Sequence, residues 1–198
     1  MKRPLIVLDI DEVLLDTISA INDQYNQQHG TNFSRRDFAS YTWHHVWGIS
    51  RDDAIDFNYD FFKDHADKIE PISGAEIGVR GLAMGHDLMA LTARPEDHRE
   101  VTQKSLDKHF PDIGKLRMVN SYARSGTPEF KSDYIRGKDA FLVIEDQVHH
   151  AIDMAPYVER VFLYNAPWNK PQNLPADLVL PNKVERVGNW DDILNKLF

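Results

Sequence analysis

Apolar residues along this chain fall into two patterns. Five short runs, Leu5–Leu8, Leu88–Leu91, Leu116–Val119, Phe141–Ile144 and Val161–Tyr164, show no clean alternation with polar residues. Runs of this kind suit strands covered on both faces, the condition of a parallel sheet. Between them, apolar positions recur at helical spacing. Val13–His29 carries Val13, Leu14, Thr17, Ile18, Ile21 and Tyr25, and Ser50–Ile69 carries Ala54, Ile55, Phe57, Phe61, Phe62 and Ala66. Gly74–Met84 and Val148–Ala155 also read as helices. Pro95–His109 opens with proline and then Glu96 and Asp97, where a helix dipole favours anions. A short helix follows Pro128-Glu129-Phe130 and ends near Gly137, and a last one begins near Asn189 with Trp190, Ile193, Leu194 and Leu197. Strand-helix alternation predicts a doubly wound α/β core around a five-stranded parallel sheet.

The first two strands break this rhythm. About 80 residues separate Leu8 from Leu88, far more than one crossover needs. The intervening segment predicts a helical cap over residues 15–75, inserted after the first strand, with residues 1–14 and 76–198 forming the core domain. The chain's 198 residues suggest one domain with a large insertion.

Composition narrows the functional classes. Without cysteine, disulfides, thiolate metal sites and cysteine nucleophiles are excluded. The net charge of −8 and the lack of a lysine/arginine block argue against a nucleic acid polymer as partner. No apolar stretch approaches a membrane span, and the run after Pro4 stops at Asp9, too short for a signal peptide. The expectation is a soluble cytoplasmic protein; its oligomeric state is left open.

In an open parallel sheet, ligands bind beyond the carboxyl ends of the strands. The polar residues there are Asp9 and Asp11 after the first run, Thr92 after the second, and Glu145 and Asp146 ending the fourth. Lys131 opens the helix before the fourth. Each alone is weak; the signal is that all fall at one rim in this order. Like charges 4 Å apart repel by about 4 kcal/mol at an effective dielectric of about 20, so such a cluster calls for a divalent cation or a proton. All-oxygen ligands favour Mg²⁺. A hard cation beside a lysine and a threonine suits a phosphoryl group.

These residues resemble the four motifs of the haloacid dehalogenase superfamily: Ile6-Val7-Leu8-Asp9-Ile10-Asp11-Glu12-Val13, Leu91-Thr92, Lys131, and Val143-Ile144-Glu145-Asp146. Tyr164-Asn165-Ala166-Pro167-Trp168-Asn169, with Glu185-Arg186-Val187 and Trp190, is similar to the deoxyribonucleotidase-related 5′-nucleotidase branch. The resemblance implies strand order 5-4-1-2-3 and a Mg²⁺-dependent phosphomonoesterase. Asp9 would be the nucleophile and a metal ligand. Asp11 would donate and then accept a proton while its main-chain carbonyl ligates the ion. Asp146 would be the third ligand, with Glu145 direct or through water, and Thr92 and Lys131 would hold phosphoryl oxygens. Asp11 separates phosphate-ester chemistry from dehalogenation, since a halide needs no proton. Where the better-known deoxyribonucleotidases carry a small hydroxyl residue after the threonine, this chain has Ala93, which offers only its main-chain N–H. Arg94 then either adds charge near the substrate or pairs with Glu96.

The substrate class expected is a small phosphorylated metabolite, a nucleoside 5′-monophosphate first; the alternative is a phosphatase or phosphomutase for sugar phosphates or another small metabolite. In the cap, Tyr41, Trp43 and Trp47 either stack a nucleobase or pack between cap and core, and Phe57, Phe61 and Phe62 read as core. His149 and His150 either line the rim or lie on the surface, and Pro167-Trp168 either touch substrate or pack. Lys138 or Arg94 stands in reserve should Lys131 be a surface residue. Two rivals from other classes are a phosphoryl-accepting receiver module and a binding protein without turnover. Receivers place the acidic pair and the phosphorylated aspartate on separate strands and lack a large cap.

Overall fold

The structure is a computed structural model that describes residues 2–40, 42–121, 124 and 126–198. Tyr41, one of the cap aromatics singled out above, lies outside the described residues.

All strands are parallel: β1 (Leu5–Leu8), β2 (Asp87–Thr92), β3 (Lys115–Met118), β4 (Ala140–Glu145), β5 (Val158–Tyr164) and β6 (Val184–Val187), in the spatial order β3-β2-β1-β4-β5-β6. The helices are α1 (Thr17–His29), α2 (Trp43–Trp47), α3 (Arg51–His65), α4 (Ala75–Ala83), α5 (Arg99–His109), α6 (Lys131–Ile135), α7 (Val148–Met154) and α8 (Trp190–Leu197). The sheet therefore has six strands rather than five. The missed strand, Val184-Glu185-Arg186-Val187, buries its two valines and leaves its charged pair half-buried. It sits at the sheet edge and carries no continuous apolar run.

The central strands read as apolar runs because successive side chains enter different layers. On β1, Ile6 and Leu8 join one buried cluster and Val7 the other; on β4, Leu142 and Ile144 join the first and Val143 the second. The first cluster continues into the insertion, taking in Tyr25, Trp47, Phe61 and Phe62. Phe61 and Phe62 are thus core, as the helical spacing implied.

The chain leaves and re-enters the sheet side by side. Asp16 N donates to Glu70 O at 2.9 Å and Ile72 N to Leu14 O at 2.8 Å. Helix α8 supports this neck. Trp190 Nε1 donates to Val13 O at 3.0 Å, and the indole lies so close on α4 that a Cβ at Gly78 would come within 2.1 Å of the ring. No helix among the described residues is long and apolar enough to cross a membrane.

Candidate active site

The strand ends meet at one rim of the sheet, under the helical insertion, around a cavity of about 250 Å³. Asp9, Asp11, Lys131, Ala93, Arg94 and Trp43 all lie on its wall. Asp9 follows β1, where its main-chain N–H still pairs with Ile144 O of β4 at 2.9 Å. Glu145 ends β4, and Asp146 follows it.

Lys131 opens the five-residue helix α6, yet its side chain is only 1% exposed. Its ammonium sits 2.8 Å from Asp9 Oδ2 and 2.8 Å from Glu145 Oε2. A surface lysine is excluded at this position. Lys138, the reserve candidate, lies instead against the Tyr134 ring. Glu145 is fully committed: Oε2 faces Lys131, and Oε1 accepts from the main-chain N–H of Asp146 and Gln147 at 3.2 and 3.1 Å.

Asp9, Glu145 and Asp146 are all buried and offer carboxylate oxygens within 4.8 Å of one another. Three carboxylates face one ammonium, which leaves two uncompensated negative charges if all ionise. The cluster resists that state. Desolvation, with Glu145 beside them, pushes the carboxyls of Asp9 and Asp146 well above the ordinary range. Desolvation also acts upward on Glu145, but Lys131 and His150 outweigh it and bring that carboxyl to about 2. A hard divalent cation fits this donor set in charge and in ligand type. Both Glu145 oxygens have donors, and so do both Asp9 oxygens, Oδ1 accepting from Ile10 N at 2.8 Å and Oδ2 facing Lys131; of the three carboxylates, Asp146 alone has an oxygen, Oδ1, with no donor among the described residues. The side chain of Asp11 is not in this group.

Asp11 belongs to a second arrangement. Arg94 Nε donates to Asp11 Oδ2 at 2.9 Å and Arg94 Nη2 to Oδ1 at 2.6 Å, while the Thr17 hydroxyl donates to Oδ1 at 2.5 Å. Desolvation would raise the Asp11 carboxyl, but Arg94 more than offsets it and holds it below its usual value. Arg94 is itself fixed by Thr102 Oγ1 at 3.0 Å and by the Phe62 ring, 4.5 Å from its guanidinium carbon. It does not pair with Glu96, which binds Arg99 one helical turn on. Thr92 is fully buried at the end of β2, its Oγ1 accepting from Arg94 N at 3.2 Å, and is not on the cavity wall.

The two cap tryptophans separate. Trp43 reaches the cavity; Trp47 does not. Trp47 is stacked on Tyr25 at 4.2 Å, with its Nε1 donating to Asn22 Oδ1 at 2.9 Å. Its place among the substrate-binding residues is corrected to the core of the helical insertion. Four residues apart on α2, the two indoles share one helix face, with ring centroids 5.8 Å apart; Trp43, at the N-terminal end, borders the cavity, and Trp47, one turn on, packs on Tyr25. His150 lies on the cavity wall and His149 does not.

Three residues carry more than the sequence reading assigned them. Glu12 holds a left-handed backbone (φ 65°), a strained geometry for a non-glycine residue. Its Oε1 accepts from Ile18 N at 2.7 Å at the start of α1, and its Oε2 lies 3.0 Å from Arg35. Burial, only partly countered by Arg35, pushes its carboxyl up to about 8. Trp168 is the second, since its indole N–H goes to Asp146 and not to the cavity. His98 is the third: a cavity-wall residue stacked on Phe62 at 4.6 Å, with neither ring nitrogen hydrogen-bonded among the described residues.

His98 sets a pH dependence. Desolvation, helped by Arg94, lowers its pKa to about 4. Above pH 6.5 it is neutral whether folded or unfolded and contributes nothing to the pH dependence. As pH falls from 6.5 to 4 only the unfolded chain takes up the proton, so the fold loses stability, by about 2 kcal/mol after allowance for screening. Urea titrations between pH 7 and 4 are expected to show this loss in the wild type and a shallower one in His98→Leu. Parallel curves for the two proteins would refute it.

The model of one protein family, described as 5′ nucleotidase, deoxy (Pyrimidine), cytosolic type C protein, matches residues 3–125, more than half of the chain. No curated protein matches. Among solved structures, a haloacid dehalogenase-like family hydrolase from Streptococcus pneumoniae has a TM-score of 0.70 at 13% identity, covering 99% of each chain. A predicted phosphoglycolate phosphatase from Haemophilus somnus 129pt has a TM-score of 0.65 at 13% identity, covering 100% of this chain and 99% of its own. YfnB of Bacillus subtilis, described as a HAD-hydrolase bound to magnesium, has a TM-score of 0.64 at 13% identity, with 100% and 99% covered. At that identity the likeness establishes the fold.

Proposed function

The chain belongs to the 5′ nucleotidase, deoxy (Pyrimidine), cytosolic type C family, of haloacid dehalogenase fold, and on that premise we propose that it is a Mg²⁺-dependent phosphomonoesterase acting on nucleoside 5′-monophosphates. The observation that carries this reading is the buried Asp9–Lys131–Glu145 bridge with Asp146 beside it, at the foot of a cavity that also holds Asp11.

Asp9 attacks phosphorus; the bond to the leaving oxygen breaks as the P–O bond to Asp9 forms, and the leaving alkoxide takes a proton from Asp11. Water then attacks the aspartyl-phosphate, Asp11 takes its proton, and inorganic phosphate leaves with Asp9 restored. Arg94 keeps Asp11 ionised in the resting site, the form that accepts a proton from water. Proton donation in the first step requires the phosphoryl oxygens to draw Arg94 off Asp11 as they bind, so that the Asp11 carboxylate takes up a proton from solvent before it gives that proton to the leaving oxygen. Lys131 and the Ala93 N–H hold those oxygens. The Thr92 hydroxyl, which accepts from Arg94 N, keeps its own proton to donate. Asp9 and Asp146, with Glu145 behind them and the Asp11 main-chain carbonyl, would hold Mg²⁺. When bound, the ion supplies charge neutralisation and alignment for a transition state that spreads charge over the phosphoryl oxygens.

Trp43, with Ala54, Ile55 and Phe62 on the same cavity wall, suits a flat ring. One observation favours a second reading, a small sugar phosphate. The cavity's roughly 250 Å³ is below the ~300–1,000 Å³ usual for drug-sized ligands. A nucleotide then requires the helical insertion to open on binding.

The test is kcat/KM for nucleoside monophosphates against sugar phosphates with Mg²⁺, after EDTA treatment as the control. The expected result is no turnover without the metal, full recovery with it, and at least a tenfold preference for nucleotides. Equal rates across both groups defeat the nucleotidase assignment. No turnover of any ester, an aryl phosphate included, defeats the phosphatase one.

A further inference from the structure

Asp146 is gripped from outside the strand that carries it. The turn after β5, Ala166-Pro167-Trp168-Asn169, wraps against the end of β4. Trp168 Nε1 donates to Asp146 Oδ2 at 2.8 Å, and Asn169 Nδ2 donates to Asp146 O at 2.7 Å and to Tyr164 O at 2.7 Å. Arg186 of β6 pins Asn169 in turn, through its Oδ1 at 3.1 Å and its main-chain O at 2.5 Å. Arg35, on the helical insertion, lies 5.5 Å from the Trp168 ring centroid and pairs with Glu12 at 3.0 Å, so the ring is also held on its face. Trp168 is 6% exposed and Asn169 wholly buried.

We propose that Trp168 is a positioning residue for Asp146, orienting its carboxylate so that Oδ1 is presented to a divalent cation. No donor among the described residues reaches Oδ1, and the only one on Oδ2 is this indole. The choice of an indole has a chemical reason. It is a donor only, uncharged, and cannot compete as a ligand. It therefore fixes the carboxylate's rotation without cancelling the charge that binds the ion. Glu145 is treated in the opposite way: Lys131 neutralises it through Oε2, and the Asp146 and Gln147 N–H groups fill Oε1. Two neighbouring acids are so divided, one as an anchor for the lysine and one as a ligand.

This rests on the metal-site reading above, and the test separates the two. Mg²⁺ binding to the metal-free protein is measured by calorimetry for the wild type and for Trp168→Phe, which keeps a ring and removes the N–H. Partners of a ligating group typically carry 10–100-fold in metal affinity, so Trp168→Phe is expected to bind Mg²⁺ about 10–100-fold more weakly. Its metal-free Tm should stay within a few degrees of wild type, and kcat should recover at saturating Mg²⁺. Unchanged affinity overturns the positioning role while leaving the metal site standing. Failure of the wild type itself to bind Mg²⁺ overturns both. If Trp168→Phe does not fold, the benzothienyl analogue of tryptophan at position 168 preserves the volume without the N–H, and the same two affinities decide.

Discussion

Asp9→Asn is expected to abolish turnover of every phosphate ester, by at least about 10⁴-fold in kcat, the scale on which removal of a nucleophile acts. An amide cannot form the aspartyl-phosphate, and no second carboxylate is placed to replace it. Asp11 is held by Arg94 and Thr17, Glu145 by Lys131, and Asp146 by Trp168. The loss should come without unfolding. Burial already pushes the Asp9 carboxyl up, so a neutral amide of the same shape does not sacrifice a favoured charge. Lys131 keeps Glu145 at 2.8 Å. A Tm within a few degrees of wild type, together with no detectable product, is the expected pair of results. Residual activity within tenfold of wild type would assign the nucleophile elsewhere.

Lys131→Met should be the most damaging single change to stability, and its signature lies in pH. Breaking a buried pair from one side costs about 3–5 kcal/mol, because the partner charge stays behind. Here two carboxylates stay behind. In the wild type, Glu145 is drawn down to about 2 by Lys131 and His150 against its desolvation. Its folded value lies below the unfolded one, so its contribution is present above pH 4.5 and is lost as pH falls toward 2. Without Lys131, desolvation wins and the folded value rises above the unfolded one. The sign then reverses: the variant is most stable at low pH and loses stability as pH rises through the region above 4.5. Urea unfolding at pH 5 and pH 8 tests this directly. The variant should be weaker at pH 8 than at pH 5, with part of the loss restored by Mg²⁺. A variant as stable as wild type at both pH values would show that Lys131 does not compensate buried acids.

The two effects have one origin. A phosphoryl-transfer site concentrates charge where water is excluded, because preorganised charges act most strongly there. The same exclusion makes each charge costly to leave unpaired. Catalysis and stability therefore depend on the same three side chains, Asp9, Lys131 and Glu145, in opposite ways.

What the chain's own order of residues determined is whatever depends on local pattern. Apolar runs marked five of the six strands; four are unbroken, because a strand sandwiched between layers has no polar face to show, and the fifth, on the edge strand β3, is interrupted by Arg117. The strand ends then followed, and with them Asp9, Asp11, Thr92, Lys131, Glu145 and Asp146. The length between the first two runs marked the inserted helices. The sixth strand escaped because an edge strand with two buried valines looks like any polar loop. Tertiary structure alone decided which charges meet. Arg94 had Glu96 two residues away, yet it binds Asp11, 83 positions distant, because the turn after β2 faces the end of β1 across one strand spacing. Glu145 and Asp146 are neighbours in sequence and partners of different groups in space: one takes Lys131, the other the Trp168 indole. Trp43 and Trp47 share a face of α2 and differ in which end of that short helix borders the cavity and which packs on Tyr25. Periodicity reports whether a residue is buried; only the docking of distant strand ends fixes what it is buried against.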